Sequence, residues 1–139
     1  MSESPHRKKI LYVEDDDSAW RVAHAWLRDG FVLVRARSGD EACVMLRQFG
    51  AELSGLMCDV HLGGPLSGVD LALAVLGRPH GPLPAFAEGL PRLEIPVVII
   101  TGIAASAREA HAAGLQVFEK PLDFPSLVKA LHPPPAASR

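Results

Sequence analysis

Four strand-length apolar runs, each closed by a polar or charged signal, constrain this chain more than any other feature. Ile10-Leu11-Tyr12-Val13 leads into Glu14-Asp15, Leu56-Met57-Cys58 into Asp59, Val97-Val98-Ile99-Ile100 into Thr101-Gly102, and Val117-Phe118 towards Lys120-Pro121. Between them lie segments whose apolar residues recur at helical spacing, the alternation expected of βα units around a parallel sheet. In an open α/β sheet the carboxyl ends of parallel strands share one rim. Glu14, Asp15, Asp59, Thr101 and Lys120 are therefore predicted to meet there although they are far apart in sequence.

The first strand is expected from about Lys9 to Val13. Asp17 or Ser18 is placed to cap a helix reaching about Asp29, with Val22, Ala25, Trp26 and Leu27 on or near its inner face and Gly30 at its C-cap. If Val22, Ala25 and Trp26 face inward, Trp20 is left at the core edge or partly exposed. Phe31 to Ala36 reads as a second strand, and Ser38 opens a helix in which Ala42, Met45, Leu46 and Phe49 recur at helical spacing. Gly55 to Asp59 is short and continuously apolar, as suits a strand buried on both faces. Gly68 to about Leu76 reads as a third helix, Val97 to Thr101 as a strand, and Ala104 to Ala113 as a helix ended by Gly114. A last strand, Gln116 to Glu119, precedes a helix with Asp123 as N-cap, Pro125 in its first turn, and Leu127, Val128 and Leu131 inward.

Residues 77–96 carry Pro79, Pro82, Pro84, Pro91 and Pro96 among Gly77, Gly81 and Gly89. That density of breakers predicts a long loop with at most one turn, near Ala85 to Glu88. Loops of this length are functional or disordered. Phe86, Leu90 and Leu93 either anchor a partner or a second copy of the chain, or fold back on their own domain. Pro133-Pro134-Pro135 stops the last helix. The expected organisation is a lead-in (1–8), one domain (9–132) and a disordered tail (133–139), with no internal repeat and no second domain.

At 139 residues and 48% hydrophobic content, the chain can bury a proper core. A net charge of −2 with scattered basic residues leaves no footprint for nucleic acid. Arg7-Lys8-Lys9 reads as a solvated lead-in. No apolar run is long enough to span a membrane and the first five residues are no signal peptide, so a cytoplasmic location is expected. Cys43 and Cys58 are too few and too far apart for a metal or redox motif and read as reduced small hydrophobes.

Each polar signal alone has an ordinary reading. Glu14 to Asp17 is a solvated turn with a helix cap, Asp59 a loop residue, Thr101-Gly102 a strand exit, and Lys120 a surface lysine. Together they form the equipment to bind Mg2+ and move a phosphoryl group onto a carboxylate. Magnesium takes oxygen ligands and commonly binds through one or two carboxylates plus water and phosphate.

In Val13-Glu14-Asp15-Asp16, Leu56-Met57-Cys58-Asp59, Ile99-Ile100-Thr101-Gly102 and Phe118-Glu119-Lys120-Pro121, the chain resembles the receiver domain of two-component response regulators. The resemblance covers about Lys9 to Leu131. It implies an α/β, flavodoxin-like, doubly wound five-stranded parallel sheet in the order 2-1-3-4-5, with five helices on its two faces. It implies Mg2+ held directly by Asp15 and Asp59, through water by Glu14, and by the backbone carbonyl of His61. Asp59 would be the phosphoacceptor, with Lys120 and Thr101 on the phosphoryl oxygens and a cis Lys120-Pro121 peptide. The donor would be a histidine kinase or a histidine phosphotransfer protein. A one-residue slip would make Asp15-Asp16 the acidic pair; Glu14-Asp15 is preferred because it directly follows the apolar run.

The chain departs from the family pattern in three places. After the phosphoacceptor, receivers usually carry proline four residues on and glycine eight on. Here position 63 is glycine, Pro65 comes later and Gly68 is nine on. His61 stands where family side chains overlook the phosphoryl group, so it either alters the lifetime of the phosphorylated state or is a solvent-facing rim residue. The switch aromatic, normally three residues before the lysine, is replaced by Val117. Phe118, one place later, is pointed to the opposite face by strand alternation, so either a register shift restores it to the switch or signalling here does not use an aromatic rotamer change.

The leading expectation is a stand-alone phosphoacceptor switch that acts by protein contact or phosphorelay and turns over no external substrate. Its downstream protein is not named by the sequence, and the 104–113 helical face is a candidate for homodimer contact. A binding-only pseudo-receiver is the alternative. A phosphatase of the haloacid dehalogenase type would want aspartate where His61 stands, and a flavin or nucleotide cradle would want glycines where Glu14 to Asp17 stand.

Overall fold

The computed structural model describes residues 7–132, so the expected tail (133–139) and most of the lead-in lie outside the described residues. Five strands, β1 (Lys8–Val13), β2 (Phe31–Ala36), β3 (Gly55–Asp59), β4 (Val97–Thr101) and β5 (Gln116–Glu119), form one sheet in the order β2-β1-β3-β4-β5. Every pairing is parallel. The helices α1 (Asp17–Leu27), α2 (Gly39–Phe49), α3 (Gly68–Val75), α4 (Ala104–Ala112) and α5 (Phe124–Leu131) cover both faces. The doubly wound arrangement is the one expected from the sequence.

Strand alternation divides the core in two. Leu11, Val13, Leu56, Cys58, Val97 and Ile99 pack against α2, α3 and α4. Ile10, Tyr12, Met57, Val98 and Ile100 pack against Ala23 and Leu27 of α1 and Phe124, Leu127 and Leu131 of α5. β3 and β4 are buried along their whole length, which is why they read as unbroken apolar runs.

The structure corrects the expected face of α1. Leu27 is buried as expected, but Val22 and Trp26 are 53% and 62% exposed and Ala25 is exposed too, while Ala23 is buried in their place and Trp20 packs at the core edge. Trp26 instead stacks on Phe124, with ring centroids 5.2 Å apart. The N-cap is Asp16, whose side chain accepts from the N–H groups of Ser18 and Ala19. The helix ends at Leu27 with Arg28 as C-cap, and Gly30 only receives a following turn.

The 77–96 segment folds back. Ala87 is fully buried, and Phe86, Leu90, Leu93 and Ile95 pack on the α2–α3 side of the core. The Leu93 N–H donates to the Val75 carbonyl and Arg47 to that of Glu88, at 2.9 and 2.7 Å. The apolar residues named as partner anchors pack on their own domain.

One glycine governs how closely a helix approaches the rim. A Cβ at Gly68, the first residue of α3, would lie 2.0 Å from the Asp59 carbonyl oxygen. Its N–H donates to the Val60 carbonyl at 2.9 Å, so the helix cannot withdraw without losing that bond. Gly68→Ala is therefore expected to cost about 3 kcal/mol of stability in urea denaturation. Gly64→Ala, where a Cβ meets nothing within 4 Å, should stay within about 0.5 kcal/mol of the parent.

Candidate functional site

The parallel sheet delivers the predicted residues to one rim. Glu14 follows β1, Asp59 ends β3, Thr101 ends β4 and Lys120 follows β5. Neighbouring strand ends are tied by backbone bonds: Val60 N–H to the Ile100 carbonyl at 3.2 Å, and Lys120 N–H to that of Thr101 at 2.8 Å. The Lys120-Pro121 peptide is cis, as expected.

Lys120 is the hub. Its ammonium donates to Asp59 Oδ2 at 3.1 Å and to Glu14 Oε1 at 3.3 Å, bridging two carboxylates 45 residues apart in the chain. Glu14 is fully buried and the Asp59 side chain nearly so. Burial, followed by the Asp59 charge, pushes the Glu14 carboxyl above its ordinary range, against the hydrogen bonds it accepts from the Asp16 N–H and from Tyr12. Burial opposes charge on Lys120, but its bonds to Asp59 and Glu14 prevail and hold the ammonium above its ordinary range.

The acidic run separates into distinct jobs. Asp16 caps α1, and Asp17 pairs with Arg35 and Arg37 at 2.8 and 3.0 Å. Glu14 turns inward and Asp15 stays exposed. Asp16 is thus engaged as the helix cap, whereas Glu14 and Asp15 are not. The remaining Asp59 oxygen, Oδ1, accepts from the His61 N–H at 3.0 Å. Thr101 is buried, and its Oγ1 accepts from the Ile103 N–H at 3.1 Å, leaving its own proton free to donate.

Among the described residues no three His, Cys, Asp or Glu side chains converge as a ready-made metal cluster. The donors nonetheless suit magnesium, which keeps several waters and needs only one or two carboxylates. Glu14 and Asp59 are like-charged and buried beside a single ammonium, so a hard cation held by Asp59 and the exposed Asp15 would relieve their repulsion.

Three residues at the site were not singled out from sequence. Tyr12 donates to Glu14 Oε1 at 2.9 Å, Arg35 Nε to the Glu14 carbonyl at 2.9 Å, and Ser106 Oγ lies 3.1 Å from His61 Nε2. Tyr12 left a signal: it is the chain's single tyrosine, in an aliphatic strand, two residues before Glu14 and hence on the same side of β1. Ser106 and Arg35 left none, because their roles arise from a helix and a strand remote in sequence. Val117 lies on the α2–α4 face and Phe118 on the α1–α5 face, with Ile100 opposite Phe118 in register. No register shift restores the aromatic.

No protein-family profile matches the sequence, and no curated protein matches it. The likeness is structural. A putative response regulator of Chloroflexus aurantiacus is 25% identical and superposes with a TM-score of 0.69, over 92% of this chain and all (100%) of the other. The receiver domain of a Pseudomonas aeruginosa sensor histidine kinase, with magnesium coordinated in its active site cleft, gives 20% identity, TM-score 0.70 and coverage of 91% and 96%. A co-crystal of a Saccharomyces cerevisiae histidine phosphotransfer protein with the receiver domain of its downstream response regulator gives 20%, 0.66, 90% and 86%. The chain has the fold of a response-regulator receiver domain.

Two expectations follow for the metal-free protein. Asp59→Asn, which removes one of two facing charges, should raise stability by about 1 kcal/mol, or about 4 °C in melting temperature in the presence of chelator. Because native Glu14 holds its proton more tightly than the unfolded chain does, stability should rise as pH falls through the native value, the gain being complete below the ordinary 4.5. Asp17, Asp40 and Asp123 are held below their ordinary 3.8, so their contribution is lost only at still lower pH. Melting temperature against pH should show the mildly acid rise, and Glu14→Gln should abolish it.

Proposed function

We propose that this receiver domain accepts a phosphoryl group on Asp59 from the phosphohistidine of a histidine kinase or a histidine phosphotransfer protein. The observation that carries the reading is the Lys120 bridge, which gathers one ammonium and two buried carboxylates at the sheet's carboxyl rim. The Saccharomyces co-crystal supports the class of donor and the Pseudomonas receiver domain supports the metal, each by likeness.

An Asp59 carboxylate oxygen attacks phosphorus and an acyl phosphate bond forms. The P–N bond to the donor imidazole breaks, its electron pair returns to the ring nitrogen, and that nitrogen takes up a proton. Lys120, already on Asp59 Oδ2, is placed to follow the negative charge onto the phosphoryl oxygens, and Thr101 has a free hydroxyl proton to donate to them. Asp15, Asp59 and the His61 carbonyl would hold Mg2+, with Glu14 behind a water. When bound, the ion neutralises charge on the transferred group. Water attack on phosphorus reverses the modification, releasing inorganic phosphate and restoring the carboxylate.

The chain thus works as a switch that catalyses only its own phosphorylation and dephosphorylation, with output by protein contact or onward phosphorelay. Among the described residues no helix is long and apolar enough to cross a membrane, in keeping with action in the cytoplasm. His61, turned towards Ser106, offers no carboxylic acid for the acid/base step of a haloacid dehalogenase-type phosphatase.

Incubation with acetyl phosphate and magnesium should add one phosphoryl group, read by intact mass. Asp59→Asn and chelated samples should add none. Labelling that persists in Asp59→Asn overturns the assignment. Lys120→Ala and Thr101→Ala should each slow labelling by about tenfold or more. His61→Ala should change the decay rate of the labelled protein; an unaltered half-life would remove His61 from the account.

A further inference from the structure

We infer that Tyr12 is a positioning residue for the phosphoacceptor site, acting through Glu14 on Lys120. The inference rests on the function proposed above. Tyr12 is fully buried beneath the rim, and its hydroxyl donates at 2.9 Å to Oε1 of Glu14, the same oxygen that receives the Lys120 ammonium at 3.3 Å. The other oxygen, Oε2, accepts from the Asp16 N–H at 3.2 Å. Three donors from three places in the chain therefore converge on one carboxylate that has no exposed surface.

This arrangement does two things that a core tyrosine with a merely satisfied hydroxyl does not. It fixes the Glu14 carboxylate by both oxygens, so Lys120 keeps one anchor whichever group its other contacts engage. It also fills much of the acceptor capacity of Glu14, since a carboxylate has about four lone-pair sites. Direct coordination by Glu14 is thereby disfavoured, and a cation is left to Asp15, Asp59 and the His61 carbonyl. A phenylalanine at position 12 would fill the same space between Trp20 of α1 and the sheet and supply no donor. Charge-assisted bonds of this kind are about twice as strong as neutral ones. Their loss in a buried site is felt by whatever else the carboxylate holds.

The test is a double-mutant cycle between Tyr12→Phe and Glu14→Gln, with two readouts. Magnesium affinity is measured by equilibrium titration of the metal alone, followed by tryptophan emission, for which Trp20 lies 6.1 Å from the Tyr12 ring. The labelling rate with acetyl phosphate at saturating magnesium is measured beside it. Tyr12→Phe should weaken magnesium binding and slow labelling by about threefold to tenfold, and should add nothing further in the Glu14→Gln background. Unchanged affinity and rate in Tyr12→Phe overturn the inference even if the melting temperature falls, because the bond is then structural only. An equal loss in both backgrounds also overturns it, since Tyr12 would then act by another route. If the unsubstituted protein neither binds magnesium nor takes up phosphate, the proposed function itself fails. If it does both and Tyr12→Phe matches it, the positioning role alone fails.

Discussion

Two carboxylates stand at neighbouring strand ends of this sheet with little water to share their charge, and the ammonium of Lys120 touches both. Nearly everything distinctive about the rim is arranged around that bridge. Tyr12 and the Asp16 N–H pin one carboxylate, the His61 N–H holds the other, and a backbone bond from Lys120 to Thr101 keeps the lysine beside β4. Burying charge is costly unless it is paired. A site holding two carboxylates against one cation is therefore poised to take a further cation, or to pass negative charge to a group that arrives with its own counter-ion. Burial first, and the Asp59 charge second, accordingly raise the Glu14 carboxyl.

The sheet makes this concentration of charge tolerable. Parallel strands buried on both faces give a rigid floor, and their carboxyl ends fall in one line because every pairing is parallel and in register. Gly68 lets α3 close against the Asp59 backbone. The proline-rich 77–96 segment then covers the α2–α3 layer with Ala87, Leu90 and Leu93. A segment whose prolines and glycines exclude regular structure is thus part of the packed core on that face.

The departures at positions 117 and 118 carry a consequence for signalling. With Val117 on the α2–α4 face and Phe118 turned to α1 and α5, an aromatic rotamer cannot report the state of Thr101 from the usual position. The side chains that do connect the rim to α4 are Thr101, which accepts from the Ile103 N–H, and His61, which meets Ser106. Order and packing shifts need no aromatic.

The chain's order of apolar runs and polar stops determined by itself the parallel α/β fold, the strand boundaries and the identity of the rim residues, because period and residue type report burial locally. Tertiary structure decided what local pattern left open. On α1 two stripes compete, Ala19-Val22-Trp26 and Trp20-Ala23-Leu27, at the same helical spacing. Ala23 and Leu27 pack with Tyr12, Phe31 and the residues of α5 and Trp20 lies at their edge, so the other stripe is left outward. Likewise Glu14, Asp15, Asp16 and Asp17 are equivalent as a run of acids. The helix cap on Ser18 engages Asp16, the arginines of and beside β2 engage Asp17, the hydroxyl of Tyr12 engages Glu14, and Asp15 is left exposed.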